Sequence, residues 1–333
     1  MQKSLASQPP ARLRILNCLA ADRQEAGREI LAGLQQPHKR LPSKYFYDAH
    51  GSWLFEQICS LPEYYVTRTE LALLKQRAPE LMAFFSKESG DLVELGSGSN
   101  QKIKILLEAA GAAAGNIRYV PVDISADALY AASHELLERY EDLHVLGIIG
   151  DFTRRLDFLP PGRKLITFLG STIGNFNRDD RIAFLRRIAG VMRPGDRFVV
   201  GLDLVKPAGI IEAAYNDSRG VTAAFNQNIL HHLNRLLHAD FKVDDFEHLA
   251  AYREDLERVE MHLRARRRTS ARIADLDLAV ECLPGETIRT EICQKFSRDR
   301  VSRDFHAAGL VATGWLTDAP RWFSLVILQK RAR

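Results

Sequence analysis

The chain has 333 residues, 46% hydrophobic and 26% charged, the usage of a globular protein with a substantial core rather than a disordered or fibrous one. Lys and Arg number 46 against 42 Asp and Glu, an excess too small to mark a dedicated nucleic-acid binder. No apolar run approaches the ~18 residues that span a bilayer, the N-terminal MQKSLASQPPARLR lacks a signal-peptide core, and Cys18, Cys59, Cys282 and Cys293 show no zinc-like or paired spacing, so membrane, secreted and disulfide-framed classes are disfavoured and a cytoplasmic protein is expected.

Residues 1–12 are polar and proline-containing and predict a loose arm. An amphipathic helix follows from Asp22 to Leu34, with Ala26, Ile30 and Leu34 on one face. Residues 39–70 are unusually aromatic, with Tyr45, Phe46, Tyr47, Trp53, Phe55, Tyr64 and Tyr65, and Pro and Gly break them into short helices and ordered loops. Two readings of these rings stand side by side: a packed mini-core, or amphipathic tyrosines around a polar ligand. Leu71–Ser86 reads as a helix.

From there strands and helices alternate. Strand Asp91–Leu95 runs into GSGSN and a helix over Lys102–Ala113. Strand Arg118–Val122 ends at Asp123, before a helix over Ser125–Tyr140 that Ser125 can cap. Strand His144–Ile149 ends at Gly150-Asp151-Phe152, and strand Lys164–Leu169 runs into GSTIGNF. A helix over Arg178–Met192 stops at Arg193-Pro194-Gly195 before strand Arg197–Leu204. This alternation predicts an α/β fold with right-handed βαβ units and a parallel, doubly wound, Rossmann-like sheet. After Lys206-Pro207, residues 208–240 read as helical and 241–296 as strands and turns. Leu310–Arg333 reads as a helix end, then Trp315-Leu316 and a terminal strand WFSLVILQK. The expected organisation is an N-terminal helical and aromatic segment (13–70), a Rossmann-like domain (71–206), an α+β region (207–300) and a C-terminal segment returning to the main sheet (301–333).

The turn Gly96-Ser97-Gly98 lies at the carboxyl end of the first alternating strand and opens a helix, where backbone passes close to a ligand and N–H donors are free. Gln101 occupies the third position of the dinucleotide fingerprint, which disfavours a pyrophosphate cofactor, and no P-loop pattern is present. Asp123 at the second tip suits a ribose diol. Asp151 at the third can accept from an adenine amino group while Phe152 packs on the ring. Each acid alone is equally a loop carboxylate or a cap. In order at successive strand tips, on the edge where parallel sheets bind ligands, they read as a site for S-adenosylmethionine (SAM) in a class I methyltransferase fold. The chain shows no ligand cluster for a metal, and none is expected.

Asn175 in FLGSTIGNF follows the fourth strand, beside the place of a methyl sulfonium. Taken with FYD (46–48), LPEYY (61–65), AYND (214–217) and TEICQKF (290–296), the sequence resembles the L-histidine Nα-methyltransferases of ergothioneine biosynthesis, a family with fungal relatives acting on tryptophan-derived amines. The resemblance runs from about Leu41 to the C-terminus and is most specific in residues 43–70. It implies cofactor contacts for Gly96, Ser97, Gly98, Lys102, Asp123, Asp151 and Phe152. It implies that Asn175 and Tyr215 hold the substrate carboxylate, that Tyr64 faces the imidazole, that Glu291 reads it and that Met261 lines its pocket. Tyr47 falls near the substrate amine, and with Asn175 it is the candidate catalytic pair. The resemblance also favours a monomer. One position departs: histidine-specific members usually carry Ser two residues after the Glu, and here Cys293 stands there, a poor hydrogen-bond donor. Strand alternation sets Glu291 and Cys293 on one face.

The expected chemistry is an in-line methyl transfer to a neutral amine, three times over, giving the trimethyl betaine hercynine. The substrate is clasped from opposite ends, by Asn175 and Tyr215 at its carboxylate and by Glu291 at its ring. Positioning supplies much of the rate, and aromatic faces such as Tyr47 accommodate the cationic product. Another amino acid or aromatic amine is the alternative substrate, given Cys293. The alternative of another class is an RNA-binding or RNA-modifying protein, for which the run LRARRRTSAR (263–272) would supply a basic patch if unpaired.

Overall fold

The computed structural model describes residues 12–19 and 23–331. The loose arm predicted for residues 1–12 lies outside the described residues except for Arg12, whose guanidinium donates to the carbonyls of Tyr140 (2.7 Å) and Leu137 (3.1 Å).

In chain order the elements are β1 (Leu13–Asn17), α1 (Arg23–Leu34), α2 (Ala49–Cys59), α3 (Tyr65–Met82), β2 (Gly90–Leu95), α4 (Gln101–Ala110), β3 (Ile117–Asp123), α5 (Ala126–Arg139), β4 (His144–Ile149), β5 (Lys164–Phe168), α6 (Arg178–Val191) and β6 (Arg197–Asp203). They continue with α7 (Ala208–Tyr215), α8 (Val221–Leu236), β7 (Phe246–Arg253), β8 (Arg258–Ala265), β9 (Thr269–Ile273), β10 (Leu278–Cys282), β11 (Thr287–Gln294), α9 (Arg298–Ala307), β12 (Leu310–Thr317) and β13 (Phe323–Lys330).

The main sheet has eight strands in the order β1-β4-β3-β2-β5-β6-β13-β12. The first six are mutually parallel, and β2 to β6 are the five that the alternation predicts. Because neighbouring strand residues point to opposite faces, Leu92 packs with Leu73, Ile103 and Leu165 on one side, and Val93 with Phe184, Ile188 and Phe305 on the other. The strand order reverses between β2 and β5, and a crevice opens outside the carboxyl ends of strands at such a point.

Three features differ from the sequence reading. Leu13–Asn17 is a strand that extends the sheet beside β4, in register Leu13↔Val145 through Asn17↔Ile149. The last two strands are antiparallel, β13 to β6 and β12 to β13, and Leu310–Thr317 is strand throughout rather than a helix end. The helix read over Leu71–Ser86 begins at Tyr65.

Outside the main sheet, β7, β8 and β11 form a three-stranded antiparallel sheet and β9 pairs with β10. Helix α8 buries Phe225, Ile229 and Leu233 and packs against α2. Asp48 caps α2 by accepting from the Gly51 amide at 2.7 Å and reaches α8 through Asn228 at 2.8 Å. In β11 the register jumps from Arg289↔His262 to Glu291↔Met261, leaving Thr290 as a bulge. Its hydroxyl donates to Asn226 Oδ1 at 2.6 Å. A bulge re-aims the residues that follow it, here Glu291 and Cys293.

Candidate active site

The predicted cofactor residues gather at the carboxyl edge of β2, β3 and β4. Gly96 adopts φ +76°, which glycine takes without strain, and its amide donates to the Val122 carbonyl at 2.8 Å. A Cβ on Gly98 would meet nothing within 4 Å, and one on Gly96 would lie 3.8 Å from the Phe152 ring. Phe152 packs edge-on against Phe168 at 5.5 Å. Asp123 accepts from the Ser125 amide at 2.9 Å, and burial raises its pKa against the pull of the Ser125, Ile124 and Ser97 amides. The Ser97 hydroxyl is buried without a partner. An orphaned hydroxyl, a glycine facing open space and an acid at the second strand tip fit a SAM molecule lying along this edge.

Asp151 accepts from the Thr153 amide at 2.9 Å and pairs with Lys44 at 3.3 Å and Arg154 at 3.4 Å. Lys102 reaches the fully buried Glu70 at 2.7 Å, and Glu70 also accepts from the Gly170 amide at 2.7 Å. Glu70 thus ties α3 and α4 to the loop after β5. Gly201 makes room for it, since a Cβ there would fall 2.5 Å from Glu70 Oε1.

Beside this edge a cleft is lined by Tyr47, Phe55, Tyr64, Asn175, Asp203, Tyr215, Met261, Glu291 and Cys293, among others, aromatic faces with a few converging polar groups, as small-molecule sites have. All seven residues predicted for the substrate side meet here. The aromatic block divides between its two readings: Phe46 and Tyr65 are core, while Tyr47, Phe55 and Tyr64 line the cleft. Burial holds the Tyr47, Tyr64 and Tyr215 hydroxyls well above their usual pKa, so all three remain phenols at neutral pH.

The loop after β5 is tightly seated. Ser171 has φ +57°, a costly conformation for a residue with a side chain, and its hydroxyl accepts from the Asp203 amide at 2.9 Å. Gly174 lies against β11: a Cβ would come 2.8 Å from the Gln294 carbonyl and 3.6 Å from Cys293 Sγ. This approach brings Asn175 Nδ2 to 3.0 Å from Glu291 Oε1. Two groups expected at opposite ends of a substrate therefore touch each other. The second amide hydrogen and Oδ1 of Asn175 stay available. Burial raises the Glu291 pKa to about 7, against the pull of Lys295 and Asn175. Gly174→Ala is expected to push the loop off β11, raising the substrate KM about tenfold and costing about 1–3 kcal/mol of stability; steady-state kinetics and a thermal melt check both.

The sequence reading missed a charged cluster behind the cleft. Lys295 and Asp203 are fully buried and 2.8 Å apart. Lys295 also donates to the Tyr215 hydroxyl at 2.9 Å and to Cys293 Sγ at 3.2 Å. Lys206 pairs with Asp203 and donates to the Tyr65 hydroxyl at 2.9 Å, and Tyr65 donates to Asp203 Oδ2 at 2.8 Å. Part of this was within reach, because Glu291, Cys293 and Lys295 alternate along one strand face.

The basic run is not an unpaired patch. Arg264 and Arg266 pair with Glu247, Arg267 with Asp245, Arg268 with Glu281 and Arg272 with Asp277. His232 contacts the Tyr45 carbonyl at 2.7 Å and His262 contacts Glu260 at 3.3 Å. Among the described residues no group of three or more His, Cys, Asp or Glu could hold a metal ion, and no helix is long and apolar enough to cross a membrane.

The chain is 44% identical to histidine N-alpha-methyltransferase of Mycolicibacterium smegmatis over 316 residues, covering 94% of this chain and 98% of that protein. It is 43% identical to the histidine N-alpha-methyltransferase of Mycobacterium tuberculosis, covering 91% and 94%. It is 34% identical to ergothioneine biosynthesis protein 1 of Neurospora crassa, over 60% of this chain and 23% of that longer protein. The family profile described as "Histidine-specific methyltransferase, SAM-dependent" matches residues 26–330. With the cofactor edge and the acid-lined cleft side by side in one α/β fold, the chain belongs to the SAM-dependent, histidine-specific methyltransferases.

Proposed function

We propose that the chain transfers methyl groups from SAM to the α-amino nitrogen of L-histidine, three in succession, giving the trimethyl betaine hercynine of ergothioneine biosynthesis. The observation that carries this reading is Glu291, a carboxylate on a bulged strand facing the cleft beside Asn175. Asn175 occupies one Glu291 oxygen; a substrate that leaves the other without a donor forfeits about 1–3 kcal/mol, whereas a ring N–H satisfies it.

Bound SAM supplies an electrophilic methyl carbon on a sulfonium. Gly96, Ser97 and Gly98 cradle it with backbone and hydroxyl, Asp123 accepts from its ribose, Asp151 from its adenine amino group, and Phe152 covers the ring. Lys102 acts through Glu70 on the Gly170 loop. On the substrate side, Tyr215 and Asn175 hold the carboxylate, Glu291 and Cys293 face the imidazole, and Met261 and Tyr64 line its pocket. The amine then lies by Tyr47 and Asn175 with its lone pair toward the methyl donor, and this orientation removes entropy from the barrier; each N–C bond would form as the S–C bond breaks, S-adenosylhomocysteine would leave, and the nitrogen would lose a proton to water before each transfer. The faces of Tyr47, Phe55 and Tyr64 suit the growing cationic head. In this scheme residues 71–206 serve the cofactor and lend Asn175 to the substrate, 13–70 and 207–300 supply the rest of the substrate side, and 301–333 completes the main sheet. The family resemblance favours a monomer, and the four unpaired cysteines suit the cytoplasm.

A panel of amino acids and aromatic amines with isotopically labelled SAM, read by mass spectrometry, tests the reading. Histidine should gain three methyl groups. Preferential turnover of tryptophan or an amine, or a product that stops at one methyl, would overturn it. Cys293→Ser is expected to lower the histidine KM about fivefold, the worth of roughly 1 kcal/mol for a restored hydroxyl donor; steady-state kinetics checks it.

A further inference from the structure

The wall behind Tyr215 carries more positive charge than its own acid needs. Asp203 is one carboxylate facing two ammonium groups, Lys206 and Lys295, and the three side chains are at most 1% exposed. Lys206 and the Tyr65 hydroxyl already give Asp203 two donors. Lys295 also binds it, and its other two N–H bonds reach the Tyr215 oxygen at 2.9 Å and Cys293 Sγ at 3.2 Å. An ammonium has three hydrogens and no lone pair, so the Tyr215 oxygen is the acceptor in this contact. Burial opposes the Lys295 charge, but Asp203, Cys293 and Tyr65 outweigh it and hold the group protonated.

The consequence falls on the tyrosine hydrogen. Fixed as an acceptor toward Lys295, Tyr215 must direct its own O–H elsewhere. In this structure its neighbour is the Cys293 sulfur, a weak acceptor that a carboxylate oxygen easily outcompetes. Tyr215 lines the cleft, and Lys295 stands one hydroxyl behind it, wholly out of solvent.

We propose that Lys295 is a positioning residue for the substrate: it locks the Tyr215 hydroxyl as a donor toward the substrate carboxylate and sets a desolvated positive charge directly behind that hydrogen bond. The proposal rests on the histidine reading of the cleft and extends it to a residue that does not touch substrate.

The test is a double-mutant cycle on the full chain saturated with S-adenosylhomocysteine (SAH), with histidine binding measured by calorimetry for wild type, Lys295→Met, Tyr215→Phe and the double variant. Met keeps the volume, and Lys206 remains to compensate Asp203. Each single change should weaken histidine about tenfold. The double should be no weaker than the worse single, because the two groups act as one unit. SAH affinity should stay within about twofold, which a merely structural lesion would not respect. If Lys295→Met does not fold, Lys295→Gln takes its place, with a smaller loss of histidine affinity expected. Unchanged histidine affinity in the folded variant, losses that multiply in the double, or SAH affinity falling in step would each overturn the role of Lys295. Wild-type protein that binds no histidine would instead overturn the histidine reading itself, a result visible before any variant is made.

Discussion

Glu291→Gln is expected to lower kcat/KM for histidine about a hundredfold while SAH affinity stays within about twofold. A hydrogen bond to a charged acceptor in a desolvated site is worth about 1.5–3 kcal/mol, and the neutral amide also presents N–H groups where the ring needs an acceptor. The effect has a pH signature. Burial raises the Glu291 carboxyl to about 7, so it is ionised above neutrality and becomes neutral as pH falls through 7. Wild-type kcat/KM should therefore drop on the acid side for two reasons, protonation of Glu291 and protonation of the substrate's own amine and ring. The glutamine variant keeps only the second. The ratio of wild-type to variant kcat/KM, measured from about pH 6 to 9, should rise through a step near 7 and then level. A ratio flat across that range would remove Glu291 from imidazole recognition.

The cofactor edge was the legible part of this protein because its signals are local. A buried parallel strand is an apolar run, and the turn that leaves it must be glycine or a short polar residue. The chain therefore marks Gly96, Asp123 and Asp151 at successive strand tips without help from the rest of the fold. Where an element depends on a distant partner, the sequence is silent. Leu13–Asn17 is too short for an alternation signal and becomes a strand because β4 offers an open edge. Helix α3 was placed late because Tyr64 at its start makes no side-chain capping bond. Arg68 instead reaches back to the Leu61 and Pro62 carbonyls at 2.6 and 2.7 Å, a tie that no capping motif announces.

The substrate side was legible by resemblance and only partly by chemistry. Alternation set Glu291 and Cys293 on one face, and both line the cleft. The bulge at Thr290 that aims them depends on a hydrogen bond to Asn226 in α8, which no local pattern encodes. The contact between Asn175 and Glu291 requires the loop after β5 to lie on β11 at Gly174. Lys295 and Asp203 read separately as ordinary charged residues near strand ends. Only the fold shows that each is buried against the other.

That burial makes Asp203→Ala the largest expected loss of stability. Asp203 is held below its usual pKa: burial works against its charge, and Lys295 and Lys206 outweigh burial. A carboxyl with a lowered folded pKa contributes stability that is complete above its unfolded value of about 4 and is lost as pH falls through the folded value. The alanine variant lacks that contribution at every pH and strands two ammonium groups in the interior, a lesion worth about 3–5 kcal/mol. With an unfolding entropy of about 2.1 cal/mol/K per residue, such a loss lowers Tm by roughly 4–7 °C in a chain of this size; calorimetry at pH 7 measures it. The two cations do not share the damage equally. Lys206 keeps the Tyr65 hydroxyl and the Leu204 carbonyl as acceptors, while Lys295 keeps only the Tyr215 hydroxyl and the weakly accepting Cys293 sulfur. Adding Lys295→Met to Asp203→Ala should therefore raise Tm above that of the single variant, because it removes the charge left with the weaker acceptors. A double variant that melts below Asp203→Ala would mean that Lys295 holds the wall by packing and hydrogen bonds, independent of the carboxylate beside it.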